Sequence, residues 1–332
     1  MMNRNLGSTG IRVSRLGLGL AAVARPGYIT LGRDSDMPAE RSPEALYQRC
    51  AELLDAALGL GIRYVDVARS YGRAEEFLAR WITERSVPRD AIAVGSKWGY
   101  EYTAGWSIDA AVHEQKEHSL QRFQRQLAES RALLGDRIDL YQIHSATLES
   151  GVLENGEVLA AMARARAEGQ VGAIGLTLSG PASAATLARA MELRVGGVRV
   201  FDAVQATCNI LEPSLAPLLA EAADAGVGVI VKEVHANGRL TPANRRPEDR
   251  RLMEALERAA SERGLAVDQL ALAFVLEMPF VDVVNSGAAT VEQLRSHAGA
   301  LAVAGGDLRR DLAALAENPE EYWSERSTLP WS

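Results

Sequence analysis

The chain has 332 residues, 47% of them hydrophobic, which is ample for one large core and too many for a minimal two-layer domain. With 36 Lys and Arg against 43 Asp and Glu, its net charge of -7 removes the electrostatic grounds for nucleic acid or an acidic membrane as partner and points to a small molecule. Its two cysteines, Cys50 and Cys208, lack metal-ligand or disulfide spacing. The N-terminus has no apolar secretory segment and no apolar run reaches bilayer length, so the expectation is a cytoplasmic protein without a metal site.

Asn5 to Leu20 reads as a hairpin turning at Ser8-Thr9-Gly10 and leading into a first strand, Leu16-Gly17-Leu18-Gly19-Leu20. Gly17, Gly19 and Ala22 loosely match a dinucleotide fingerprint, but Pro26-Gly27 interrupts the chain where a helix would have to open, which excludes a Rossmann fold. Ala21 to Pro43 is then a long rim loop, in which Tyr28 and Ile29 are expected to pack on something. Ser42-Pro43-Glu44 starts a helix with Leu46, Cys50, Leu53, Leu54, Ala57 and Leu58 on one face, closed by Gly59 and Gly61. The strand Tyr64-Val65-Asp66-Val67 follows at once, and Ala68 to Gly72 is the loop after it.

From there strands and helices alternate: a helix over Ala74 to Glu84, a strand ending in Lys97, a long polar helix over Val112 to Leu134, a strand ending in His144, and a helix over Glu157 to Glu168. Val171 to Leu176, Ala203 to Ala206, Gly228 to Lys232 and Val281 to Asn285 supply four more strands, separated by helices near Ala182 to Leu193, Ser214 to Ala225 and Arg250 to Arg263. Short apolar strands alternating with amphipathic helices call for parallel strands buried on both faces. The expected fold is α/β, a single (β/α)8 TIM barrel over residues 1–332 with an N-terminal β-hairpin and extended rim loops. The tail from Asn318 to Ser332, with Trp323 and Trp331, is expected to lie over the barrel.

In such a barrel the C-terminal strand ends share one mouth, so Asp66, Tyr71, Lys97 and His144 would converge. Each alone has a plain structural reading: a turn cap, a cover for apolar surface, a solvated rim cation, a partner for core backbone. Together they make a proton-donating site. A phenol that titrates near ~10 donates well at neutral pH only if its phenolate is stabilised; a Lys97 ammonium held charged by Asp66 would do that, and His144 would orient a substrate oxygen. Such a site suits carbonyl reduction, with the hydride coming from a cofactor such as nicotinamide. Asn285 to Gln293, with slim residues before a helix opened by a Thr290/Gln293 capping box, offers backbone N–H groups for its phosphates; a tight turn merely capped by Thr290 is the alternative.

The stretch Asp66-Val67-Ala68-Arg69-Ser70-Tyr71-Gly72 resembles the Asp-Thr-Ala-x-x-Tyr-Gly signature of the aldo-keto reductases, with Lys97 following in Gly-Ser-Lys and His144 ending Asp139-Leu140-Tyr141-Gln142-Ile143-His144. The resemblance runs essentially the full length. It implies Tyr71 as general acid/base, Lys97 and Asp66 as its tuning pair, His144 as the group that positions the carbonyl, and NADPH/NADP (NAD possible) as an extended cofactor. The cofactor contacts it implies are Gly19, Leu20, Thr177, Gln205, Lys232, Arg239, Gly287, Ala288, Thr290 and Gln293.

The chain departs from that pattern in three places. Gly175-Leu176-Thr177-Leu178 replaces Gly-Val-Ser-Asn, Val231-Lys232-Glu233-Val234 stands where an aromatic and Ser-Pro are usual, and Ala289 lies where many relatives carry a basic residue. The last change weakens a preference for NADP over NAD unless Arg295 compensates. Trp98, Tyr100, Tyr102 and Trp106 are placed to wall a pocket for a sugar or other polyhydroxylated carbonyl compound. Rival readings are a sugar 1-dehydrogenase running oxidatively, a dinucleotide-sensing binding protein, and a Schiff-base aldolase with Lys97 as nucleophile. Oligomeric state has no signature here.

Overall fold

A computed structural model describes residues 3–303 and 307–332. A hairpin of β1 (Asn3–Asn5) and β2 (Arg12–Ser14) leads into β3 (Leu16–Gly19), α1 (Pro43–Gly59), β4 (Tyr64–Asp66), α2 (Ala74–Glu84) and β5 (Ala93–Trp98). A rim hairpin, β6 (Tyr100–Tyr102) and β7 (Glu114–Lys116), precedes α3 (Leu120–Leu134), β8 (Leu140–Ala146), α4 (Gly156–Ala167), β9 (Ala173–Leu178) and α5 (Ser183–Glu192). A short hairpin, β10 (Arg194–Val195) and β11 (Val198–Arg199), is followed by β12 (Ala203–Thr207), α6 (Ala216–Asp224), β13 (Gly228–Lys232), α7 (Arg250–Ser261) and α8 (Val267–Leu276). The chain ends with β14 (Val283–Ser286), α9 (Val291–Gly299), α10 (Leu308–Asp311) and α11 (Pro319–Thr328).

Eight strands close into a barrel in the order β12-β13-β14-β3-β4-β5-β8-β9, with parallel pairing throughout. The expected (β/α)8 barrel and its N-terminal hairpin are therefore present. The hairpin has a packing role: Leu6 and Val13 join Tyr64, Ala93, Leu140, Ala173, Ala203, Ile230 and Val283 in a buried cluster that plugs the end of the barrel opposite the mouth. The helices pack outside it for the reason their spacing states. In α2 the residues Ala74, Phe77, Leu78, Trp81 and Ile82 recur three and four apart and are all buried. The start of α1 is capped as its sequence predicts, with Ala45 N–H donating to Ser42 Oγ at 3.3 Å.

Two differences from the expectation bear on the site. The helix drawn from Val112 begins only at Leu120, because Glu114–Lys116 pairs antiparallel with Tyr100–Tyr102 and Ser119 caps the helix by accepting from Arg122 N–H at 3.1 Å. The helix α8 was not anticipated: Val267, Leu270, Ala271, Leu272, Ala273, Phe274 and Val275 are buried, so it shows no polar stripe from which a helical period could be read. Among the described residues no helix is long and apolar enough to cross a membrane.

At the mouth, the loop between β3 and α1 is tied down rather than loose. The buried Arg33 donates to the carbonyls of Ala22, Arg25 and Pro26 at 2.6–2.8 Å and also to Ser332 O. Tyr28 and Ser332 exchange backbone hydrogen bonds at 3.0 Å, with a bridge between Ile29 and Trp331, so the tail reaches past the outer surface onto the rim.

Candidate active site

A cleft of about 660 Å³ opens at the C-terminal strand ends, bounded at one end by Tyr71, Tyr100 and His144 and at the other by the first turn of α9. β4, β5 and β8 are neighbours in the barrel, so their last residues meet at the first of these ends.

Asp66 is the hub. It forms a buried ion pair with Lys97 through Oδ1, while Oδ2 accepts from Gln205 Nε2 at 2.8 Å and from the Tyr64 hydroxyl at 3.3 Å. Gly95 makes room for that hydroxyl, since a Cβ there would lie 2.1 Å from it. Lys97 Nζ also donates to Val67 O at 3.0 Å and lies 4.6 Å from the centre of the Tyr71 ring. Tyr71 meets the His144 ring edge-on, with centroids 5.4 Å apart, and Gly72 lets the chain turn there at φ 59°. His144 Nδ1 faces Ser70 Oγ at 3.4 Å, and His144 O faces His118 Nε2 at 2.9 Å. The four residues singled out in the sequence thus stand together.

Burial dominates the electrostatics. It raises the Tyr71 phenol well above its ordinary value, with Asp66 adding to the rise and Arg25 opposing it, so the hydroxyl keeps its proton in the open cleft. Burial lowers Lys97, against the pull of Asp66. His144 is held well below its ordinary range by burial and then by the cations Lys97, Lys232 and Arg25, which makes it a neutral imidazole. The Lys97 hydrogen bonds go to Asp66 and Val67 O, so its ammonium meets the phenol over the ring face.

Of the ten residues named as cofactor contacts, Gly19, Gln205, Lys232, Gly287 and Gln293 line the cleft. Leu20, Thr177 and Ala288 are buried behind it; Thr177 Oγ1 accepts from Ser145 N–H at 2.7 Å, which sets the residue after His144. Arg239 is not in the lining either, because Asp249 and Glu317 take up its guanidinium at 2.7–3.3 Å. Thr290 caps α9, accepting from Gln293 N–H at 3.2 Å, but the other half of the capping box is displaced by one residue. Gln293 Oε1 accepts from Ala289 N–H at 2.8 Å while its Nε2 donates to Asp36 at 2.8 Å. Arg295 is exposed and outside the lining, so it does not supply the cation that Ala289 lacks.

Of the four aromatics after Lys97, Tyr100 lines the cleft, together with Tyr28; Trp98 is buried against Phe123 and His118 instead. The charged walls of the cleft have no signature in the sequence. Arg25 donates to Glu114 at 2.7 Å and its guanidinium lies 5.0–5.2 Å from the Tyr28, Tyr71 and Trp331 rings. Glu233, turned inward at φ 53°, pairs with Arg326 and accepts from Thr207 Oγ1 at 3.1 Å. Burial alone would raise the Glu233 carboxyl, but Arg326 and Lys232 outweigh it and hold it at about 2. No local spacing announces these pairs, since each joins residues about 90 positions apart.

Two features leave the cleft open to a bound group: the buried Asn285 Oδ1 on its wall has no hydrogen-bond partner among the described residues, and a Cβ at Gly287 would meet nothing within 4 Å. The family model described as Aldo/keto reductase family matches residues 32–305. Over 94% of this chain and 98% of its own length, the NADH-specific methylglyoxal reductase of Escherichia coli is 25% identical. The D-threo-aldose 1-dehydrogenase of a Pseudomonas species is 26% identical over 82% of this chain and 85% of its own length. An aldo-keto reductase from Bacillus halodurans solved in its holo form superimposes with a TM-score of 0.72 at 21% identity, covering 96% of this chain and 97% of that one, a likeness of fold. This chain belongs to the aldo/keto reductase family, and it is an NAD(P)-dependent oxidoreductase.

Proposed function

We propose that the protein reduces an aldehyde or ketone to the alcohol, with Tyr71 as general acid, Lys97 and Asp66 as the pair that places and polarises it, and His144 as the donor that orients the carbonyl oxygen. The observation that carries this reading is the Asp66–Lys97 ion pair beneath the Tyr71 ring with His144 at its edge. A bound reduced nicotinamide supplies the hydride. Tyr71 then gives its proton to the oxygen as negative charge grows there, and the buried ammonium offsets the charge left on the phenolate. The neutral His144, with Nδ1 facing Ser70 Oγ, would carry its hydrogen on Nε2 and present it to the same oxygen.

Gln205, Lys232, Gly287 and Gln293 would hold the dinucleotide along the cleft. NADPH is the cofactor expected from the family pattern, but Asp36 and Glu292 line the α9 end and Arg295 does not, so NADH serves at least as well. The NADH-specific relative points the same way. Lys97 is a poor nucleophile for a Schiff base, since it is 1% exposed and held by Asp66 and Val67 O. Oxidation of a sugar hemiacetal at the same four residues is the second reading, favoured by the aldose dehydrogenase relative.

The test is a panel of aldehydes, ketones and aldoses run with NADPH, NADH and their oxidised forms, following dihydronicotinamide absorbance. Carbonyl-dependent consumption of a reduced cofactor is expected. Consumption absent across the panel, with dinucleotide binding intact, would return the protein to the sensor reading.

A further inference from the structure

The far end of the cleft holds a cluster that this reaction does not use. His235, after β13, and His297, in α9, lie with ring centroids 4.4 Å apart, and both line the cleft. Asp268, in the first turn of α8, joins them: its backbone oxygen accepts from His235 Nε2 at 3.2 Å, and its carboxylate lies 3.7 Å from His297 Nε2 and accepts from Ser296 Oγ at 2.7 Å. On the opposite side His297 Nδ1 is 2.8 Å from Ser286 Oγ, which accepts from Ala288 N–H at 3.2 Å.

The carbonyl fixes the tautomer of one ring: His235 uses its Nε2 hydrogen on Asp268 O, which leaves Nδ1 as a lone pair able to take a proton. Burial holds both rings neutral, His297 well below its ordinary value and His235 lowered despite the opposing pull of Asp268.

The surroundings are short of cations. Asp268 and the rings themselves are the ionisable groups against the pair, and Asp36 and Glu292 line the same end. Arg49, behind the turn, donates to Ala289 O and Asp36 O, while Ala288 and Ala289 N–H are taken by Ser286 and Gln293 side chains. A phosphate entering here therefore finds a nine-residue helix pointing its N-terminus at the cleft, but no free cation among the described lining residues of this end.

We infer that the His235–His297 pair is a proton-linked phosphate site: as a phosphate group enters the α9 end, His235 takes up one proton at Nδ1, and the resulting imidazolium, flanked by Asp268, supplies the missing positive charge. The natural source is the dinucleotide, so the inference rests on the reading of the cleft given above, and it makes cofactor affinity depend on pH.

Titration calorimetry of the full chain with NADPH, NADH and inorganic pyrophosphate, in buffers of different ionisation enthalpy, reads the proton directly. Uptake approaching one proton per ligand is expected, with Kd rising about tenfold per pH unit above neutrality. His235→Asn, which keeps a donor for Asp268 O, should bind without uptake and with a flat pH profile. Uptake confined to NADPH would place the interaction at its ribose phosphate; uptake with NADH as well would place it at the diphosphate, and either supports the site. Dinucleotide binding without proton uptake would overturn it. Should no dinucleotide bind, the cofactor reading fails separately, and pyrophosphate decides the site: uptake sustains it, and no uptake or no binding removes it.

Discussion

Replacing Lys97 by Met is the most informative perturbation of the charged hub. The pair is 1% and 5% exposed on its two side chains, so the substitution leaves the Asp66 carboxylate with only the Gln205 amide and the Tyr64 hydroxyl. Removing one partner of a buried ion pair costs about 3–5 kcal/mol, because the survivor stays desolvated. Protonation sets a ceiling: keeping a proton at pH 7 on a carboxyl that ordinarily releases it near ~3.9 takes about three pH units at ~1.4 kcal/mol each, or about 4 kcal/mol. The expected cost is therefore ~3–4 kcal/mol at pH 7, shrinking toward ~1–2 kcal/mol at pH 5 as the carboxyl takes its proton more cheaply. Urea unfolding followed by tryptophan fluorescence measures it. Adding Asp66→Asn removes the stranded charge and should recover at least ~2 kcal/mol. A double variant no more stable than Lys97→Met alone, or a cost that does not change with pH, would refute a buried charge as the cause.

Stability on the acid side is expected to follow the buried histidines. His118, His144 and His297 are lowered chiefly by burial, His118 to about 4, so below about pH 6.5 the unfolded chain binds protons that the folded one refuses. Stability should be full above pH 6.5 and decline toward pH 4 by up to ~1.4 kcal/mol per unit for each ring; urea midpoints unchanged between pH 7 and 5 would contradict this. Gly72→Ala should cost ~1–3 kcal/mol and depress turnover, because the residue sits at φ 59° and a Cβ would lie 2.5 Å from Ala24 O, beside Tyr71. Wild-type stability and rate in that variant would show the turn to be slack.

What could be read from the chain and what could not divide along physical lines. The strands were legible because each is a short apolar run, and the strand ends carried their chemistry with them: Asp66, Lys97 and His144 lie at or near the ends of β4, β5 and β8, where barrel geometry alone brings them together. The segment before α3 reads as helix because Glu114, Gln115 and Lys116 suit a polar helix, and their pairing with Tyr100–Tyr102 is a tertiary fact. α8 was missed for the opposite reason, its apolar residues running round the helix with no face to betray the period. The family pattern puts Arg239 in the loop along the cofactor, but its guanidinium goes to Asp249 and to Glu317, 78 positions away. Arg25, Glu114, Glu233 and Arg326 are ordinary surface residue types that become walls only through folding.

The central claim is that the Tyr71 hydroxyl delivers the proton, and single-turnover reduction by Tyr71→Phe tests it most directly. The phenyl ring keeps the packing against His144 and the Lys97 ammonium, so dinucleotide Kd should stay within about twofold while the rate of the chemical step falls by about 10²–10⁴. A variant that binds the cofactor and still reduces its carbonyl substrate within a few-fold of the wild-type rate would contradict the account.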